Sequence, residues 1–157
     1  MKVSDNFDIR EFVPLATYNR WREKSIWFIR PEIIRIAEAY KVFFKEFYQA
    51  DGVLVTVNNY LFGGQLQYRG YRPPDCVIGA RESQHRFGAG FDCDFTIIKN
   101  GDRRTPSYTE VQKIILGHSK QFMEMGVTTI ENTQYTPTWL HTDIRYTGLD
   151  KILIVNP

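Results

Sequence analysis

Two of the three histidines in this chain sit among residues that could do chemistry together. One lies in Ser83-Gln84-His85-Arg86-Phe87-Gly88-Ala89-Gly90-Phe91-Asp92, the other in Trp139-Leu140-His141-Thr142-Asp143. His85 precedes a glycine-containing turn, and Asp92 follows it at the start of a strand-like run. The chain can therefore turn an imidazole and a carboxylate onto one point. His141, on another strand, supplies a third donor from across a sheet. Two imidazole nitrogens and a carboxylate oxygen suit Zn2+. Three protein ligands leave a fourth position open for water, which is the catalytic rather than the closed structural arrangement.

The elements that must position these groups are readable from periodicity. A helix is expected from Pro31, with Ile33, Ile34, Ala37, Tyr40, Phe44 and Phe47 as its apolar stripe and Arg35, Lys41 and Lys45 on its solvated face. It stops near Asp51-Gly52, and Val53–Val57 follows as a β-branched, buried strand. Residues 58–90 hold six glycines and the adjacent Pro73 and Pro74, with Arg69, Arg72, Arg81 and Arg86 interspersed. A loop of this length in a compact domain is usually functional. Phe91–Ile98 reads as a strand closed by the turn Asn100-Gly101. A second helix is expected from Ser107, whose spacing to Glu110 is that of a capping box, through Met125 to Gly126. His118 falls on its buried stripe and reads as a helix residue, not a ligand. Val127–Ile130, Trp139–Tyr146 and Ile152–Val155 are the remaining strands. The fold class is α+β, a mostly antiparallel sheet with helices packed to one side.

Composition sets the outer bounds. The 157 residues are 43% hydrophobic and 15% aromatic, which excludes a disordered chain, a collagen-like chain and a small disulfide scaffold. A formal charge of +2 gives no argument for a nucleic-acid partner. Cys93 alternates away from Asp92 toward the core, and Cys76 is a free loop thiol. No apolar run is long enough for a membrane span, and Met1–Asn6 has no secretory apolar segment. The expectation is one domain over residues 1–157, with residues 1–26 as an N-terminal arm packed on it.

The chain resembles the zinc D-alanyl-D-alanine carboxypeptidases and the related phage L-alanyl-D-glutamate endolysins. Ser83-Gln84-His85 and Asp92, with Gly88 between them, stand in register with that family's first metal segment. Gly90 replaces its usual alanine. Trp139-Leu140-His141 matches the last metal segment, Gly70-Tyr71-Arg72 matches a Gly-Tyr-Arg that precedes the first, and Asn6–Phe12 is similar to the opening of some shorter members. The resemblance implies a hedgehog/D-Ala-D-Ala peptidase-like fold and zinc on His85, Asp92 and His141. Arg72 and Ser83 would hold the substrate, and the activity would be hydrolysis of an amide in peptidoglycan stem peptides. By analogy it also implies cell-wall lysis, with the protein made in a bacterial host or carried on a phage virion. The family commonly places an acidic residue three positions before the last histidine, or a histidine two before it. Thr138 and Trp139 stand there instead and cannot move a proton. Glu131 and Asp143 are the candidate bases, Glu131 first, because Asp143 on the face of His141 can instead orient that ring. Asp94, alternating with Asp92, is a second supporting carboxylate. The rival reading is a metal-binding structural or wall-binding module, such as a virion component, that has lost its base. Tyr60, Tyr68, Tyr71 and Trp139 are available to line a groove for an extended peptide or sugar.

Overall fold

The computed structural model describes residues 1–157. Six strands form one mixed, mostly antiparallel sheet, accompanied by four α-helices, so the class is α+β as expected. The strands are β1 (Gly52–Thr56), β2 (Gly90–Lys99), β3 (Asp102–Arg104), β4 (Thr129–Glu131), β5 (Leu140–Asp143) and β6 (Leu153–Val155). Their order is β1-β2-β5-β4-β6, and β3 pairs with the far end of β2. Every pairing is antiparallel except β4 with β6. The helices are α1 (Leu15–Trp21), α2 (Pro31–Phe47), α3 (Tyr108–Gly117) and α4 (Ser119–Met125).

The long strand β2 explains the layering. Phe91, Cys93, Phe95 and Ile97 are all at most 1% exposed and point to one face. There α2 lays down Tyr40 and Phe44 and α4 contributes Phe122, with the Phe44 and Phe95 rings 4.7 Å apart. Tyr40, fully buried, reaches through this layer to hydrogen-bond Thr142 of β5 at 2.8 Å. Burial of its ring pushes the Tyr40 phenol far above its ordinary pKa, so it stays neutral. The opposite face carries Asp92 and Asp94 and is covered by the loops of residues 58–90. The polar site therefore lies between sheet and loops, backed by an aromatic core.

Several differences from the periodicity are informative. The second helix breaks at Gly117-His118, where the His118 ring nitrogen Nδ1 donates back to the Ile114 carbonyl at 2.9 Å. Glycine and a competing side-chain bond together interrupt the run. His118 packs its ring on Phe43 and Phe47 and is not among the donors gathered around Asp92. Ser107 makes no side-chain cap bond, and the Glu110 side chain accepts from the Tyr48 hydroxyl at 3.1 Å. The strand expected over Trp139–Tyr146 is confined to Leu140–Asp143, and β3 extends the turn at Asn100 into a short hairpin.

The N-terminal segment is woven into the core rather than laid over it. Phe7, Ile9, Phe12 and Val13 are buried, and the 3-10 turn Ile9–Glu11 is closed by a capping box between Asp8 and Glu11. Burial works against the Asp8 charge, but Arg10 through its guanidinium and backbone N–H outweighs it and holds the carboxyl well below the ordinary range. Its contribution is complete above about pH 4 and is lost as pH falls below the unfolded value. Asp8→Ala should cost about 1 kcal/mol at pH 7. In urea melts, that gap should narrow at pH 3.

Candidate metal centre

Register alone assembles most of the site. Asp92 of β2 stands opposite His141 of β5, and Gly90 opposite Asp143. Thr142 turns toward the helices, so His141 and Asp143 share the loop-covered face with Asp92. In β4, Thr129 stands opposite Asp143 and Ile130 opposite Thr142, which brings Glu131 level with His141. His85 comes from the loop layer, on the short 3-10 helix Gln84–Phe87.

His85 Nε2, His141 Nδ1 and Asp92 Oδ1 form a triangle with edges of 3.2, 2.8 and 3.2 Å. The other ring nitrogens fix the tautomers. His85 Nδ1–H donates to the Gly70 carbonyl at 2.7 Å, and His141 Nε2–H to Asp143 Oδ2 at 3.2 Å. In these neutral tautomers each ring turns a lone pair toward the carboxylate oxygen between them, an arrangement that calls for a cation or a proton at its centre. Three buried electron-pair donors this close repel one another unless a cation sits among them. Two ligands bonded tetrahedrally at ~2.0–2.1 Å are roughly 3.3–3.4 Å apart, close to these edges. His85, Asp92 and His141 thus form a buried group that can hold a metal ion.

The surroundings favour a positive charge. Burial disfavours the His141 imidazolium, but Asp143, Asp92 and Glu131 overcome it and push the ring up to about 10. Burial would raise the Asp92 carboxyl, yet His85 and His141 hold it far below the ordinary range. Without a metal, the site keeps a proton that a divalent ion would displace.

Each donor is buttressed from behind. Arg72 donates from Nη2 to Asp92 Oδ2 at 2.8 Å, which leaves Oδ1 to face the histidines, and from Nε to the Tyr68 carbonyl at 2.7 Å. Asp143 is fully buried and grips Arg145, whose Nε lies 2.9 and 3.0 Å from its two oxygens. It therefore stands behind His141 as its hydrogen-bond acceptor. Asp94 touches none of the three donors. Arg69 takes it at 2.6 Å, and the Arg69 guanidinium lies over Trp139. Gly70 matters because a Cβ there would lie 2.1 Å from the Phe12 carbonyl oxygen, which itself accepts from Tyr71 N–H at 2.7 Å. Gly70→Ala should push this strand of loop away from the N-terminal segment and carry the acceptor of His85 with it. A loss of at least about 2 kcal/mol in denaturant melts is expected.

A cavity of about 420 Å³ opens over the triangle, walled by Ser83, Glu131, Trp139, Arg145 and the loop Ile78–Glu82, and Arg72 also lines it. The Glu131 carboxylate lies 3.9 Å from His141 Nδ1 and reaches this cavity, whereas Asp143 does not. Burial raises the Glu131 carboxyl above its ordinary range. Ser83 makes no cap bond with its hydroxyl and borders the same space. Tyr68 and Trp139 line a neighbouring cavity of about 310 Å³, while Tyr71 is buried against Phe28 and Tyr60 belongs to neither space. The wall loop is pinned by Arg86, whose guanidinium donates to the carbonyls of Pro73, Pro74 and Cys76 at 3.1, 2.8 and 2.6 Å. Arg86 and Arg145 went unassigned in the sequence. For Arg145 the alternation of His141, Asp143 and Arg145 was the available signal. No helix is long and apolar enough to cross a membrane. Compared with known proteins, the chain matches no family model, no curated protein and no solved structure.

Proposed function

We propose that this chain is a zinc-dependent peptidase that cleaves an amide bond in peptidoglycan stem peptides. The observation that carries the chemistry is the triangle of two imidazole lone pairs and one carboxylate oxygen, with a fourth side open to a cavity that also holds Glu131. The substrate class comes from the resemblance of Gly70-Tyr71-Arg72, Ser83-Gln84-His85, Asp92 and Trp139-Leu140-His141 to the D-alanyl-D-alanine carboxypeptidases and their endolysin relatives. Zn2+ held by these three residues supplies a Lewis acid for the scissile carbonyl and makes a bound water easier to deprotonate.

The protein's own groups do the rest. Glu131 accepts a proton from the attacking water and returns it to the departing amine, and its burial-raised carboxyl suits both transfers. Asp143 fixes the His141 tautomer. Ser83 offers a hydroxyl to substrate backbone, and Arg72 holds Asp92 in its one-oxygen pose. Thr138 and Trp139 are no obstacle to this reading, because β4 delivers a carboxylate that the last metal segment lacks. A wall-lysing role, in a bacterial host or on a phage virion, follows from the same resemblance. The test is to incubate the zinc-loaded protein with muropeptides of several wall chemistries and to look for new amines and shortened peptides. Their absence throughout, with zinc bound one per chain, would favour the rival reading of a catalytically silent wall-binding or virion module.

A further inference from the structure

Away from the cavity, the segment that leads from the N-terminal core into α2 concentrates the chain's positive charge. Residues 15–30 carry four basic side chains and one acidic, whereas the rest of the chain carries sixteen and seventeen. Arg30 lies 3.8 Å from Glu32, but Arg20, Arg22 and Lys24 pair with no carboxylate. They lie over aromatic rings instead, Arg20 5.3 Å from Trp21, Arg22 5.8 Å from Tyr18 and Lys24 5.5 Å from Trp27. The 3-10 helix Arg22–Phe28 accounts for the last pair, because residues three apart eclipse one another in such a helix. Its inner side holds Ser25, fully buried, while Lys24 and Trp27 face outward, Trp27 at 70% exposure. Trp21 precedes this pair and Arg30 follows it at the same spacing of three, and both are exposed. Arg22 stands at φ +51°, so the chain keeps a cation at a position where glycine would relieve backbone strain.

We propose that this tryptophan-and-cation surface docks the protein on an anionic lipid bilayer, lying in the headgroup layer without crossing it. Charge and ring chemistry together select that partner. Cations with no carboxylate of their own are free to meet lipid phosphates, and each adds about fivefold to partitioning onto such a surface. An indole has a broad apolar face and a single N–H donor, which suits the boundary between headgroups and acyl chains. A neutral sugar strand would use the rings and leave the cations idle. A soluble phosphate polymer would use the cations and leave Trp27 in water. A bilayer of anionic lipid uses both. No residue of this segment lines the cavity over the metal centre, so the inference stands apart from the peptidase reading.

The full chain is sedimented with vesicles of pure phosphatidylcholine and with vesicles of phosphatidylcholine mixed equally with phosphatidylglycerol. Partitioning onto the anionic vesicles should exceed that onto the neutral ones by about tenfold or more, and should fall steeply as salt is raised. Lys24→Glu should lower it by about tenfold or more, whereas Lys120→Glu, the same change of charge at another exposed position, should lower it by about twofold at most. Trp27→Ser should lower it by at least about fivefold. Lys24 and Trp27 are both exposed, so neither change disturbs the core. Indole emission should shift to the blue on anionic vesicles, and Trp27→Phe should lose most of that shift while still binding. Equal partitioning onto the two kinds of vesicle overturns the proposal, and so does full binding by Lys24→Glu or Trp27→Ser. Sedimentation without vesicles would also overturn it, by assigning the surface to a second copy of this chain. Failure of the muropeptide assay leaves these outcomes untouched, so the two claims fall separately.

Discussion

Glu131→Gln is expected to keep the metal and lose about 10²–10⁴-fold of the hydrolysis rate. The exchange preserves size and hydrogen-bonding shape but removes a cavity-lining carboxylate that lies close to the triangle without being one of its donors. Glu131 lies level with His141 by strand register, 3.9 Å from its inner nitrogen. Asp143→Asn should behave differently, because Asp143 is wholly buried behind His141 and held by Arg145. An amide in its place weakens the acceptor that fixes the ring. The main effect should be a fall in metal affinity of about 10–100-fold. Metal content and rate measured side by side on the two variants separate the base from the buttress. A fully active Glu131→Gln protein would remove Glu131 from the mechanism.

The second large effect is on stability. His85→Ala removes one corner of the triangle and leaves the Gly70 carbonyl without its donor. Metal bound at ~1,000 times its dissociation constant stabilises a fold by about 4 kcal/mol. For a domain of this size that is worth about 10 °C in melting temperature. A chelator should therefore lower the wild-type melting temperature by about that much and leave His85→Ala unchanged. Without metal, the proton kept by His141 takes the place of the ion, so Asp92→Asn should also destabilise the chelated protein, because it removes the carboxylate that His85, His141 and Arg72 all face.

How much of this was legible in the sequence depended on whether the determining contacts were local. The α2 stripe, the β2 alternation that sends Cys93 inward and Asp92 outward, and the spacing of His85, Asp92 and His141 are short-range patterns. They lead to the right class and to three donors that do converge. Glu131 was readable only as a candidate, because β4 and β5 are joined by a loop whose path no periodicity fixes. The N-terminal segment reads as an arm because its apolar residues follow no single period. Phe7, Ile9, Phe12 and Val13 are nonetheless core, held by contacts to residues far along the chain such as Tyr71. The break at Gly117-His118 was masked by an apolar stripe that continues across it. The roles of Arg72 and Arg145 depend on which nitrogens are already committed, and that is a three-dimensional fact.

The central claim is that a single divalent ion sits among His85, Asp92 and His141. Anomalous scattering at the zinc edge, from crystals of protein reconstituted with one equivalent of Zn2+, tests it most directly. The account predicts one peak per chain, ~2.0–2.2 Å from His85 Nε2, His141 Nδ1 and Asp92 Oδ1, with one side toward the cavity. A peak elsewhere, or these three side chains turned apart around no ion, would contradict it.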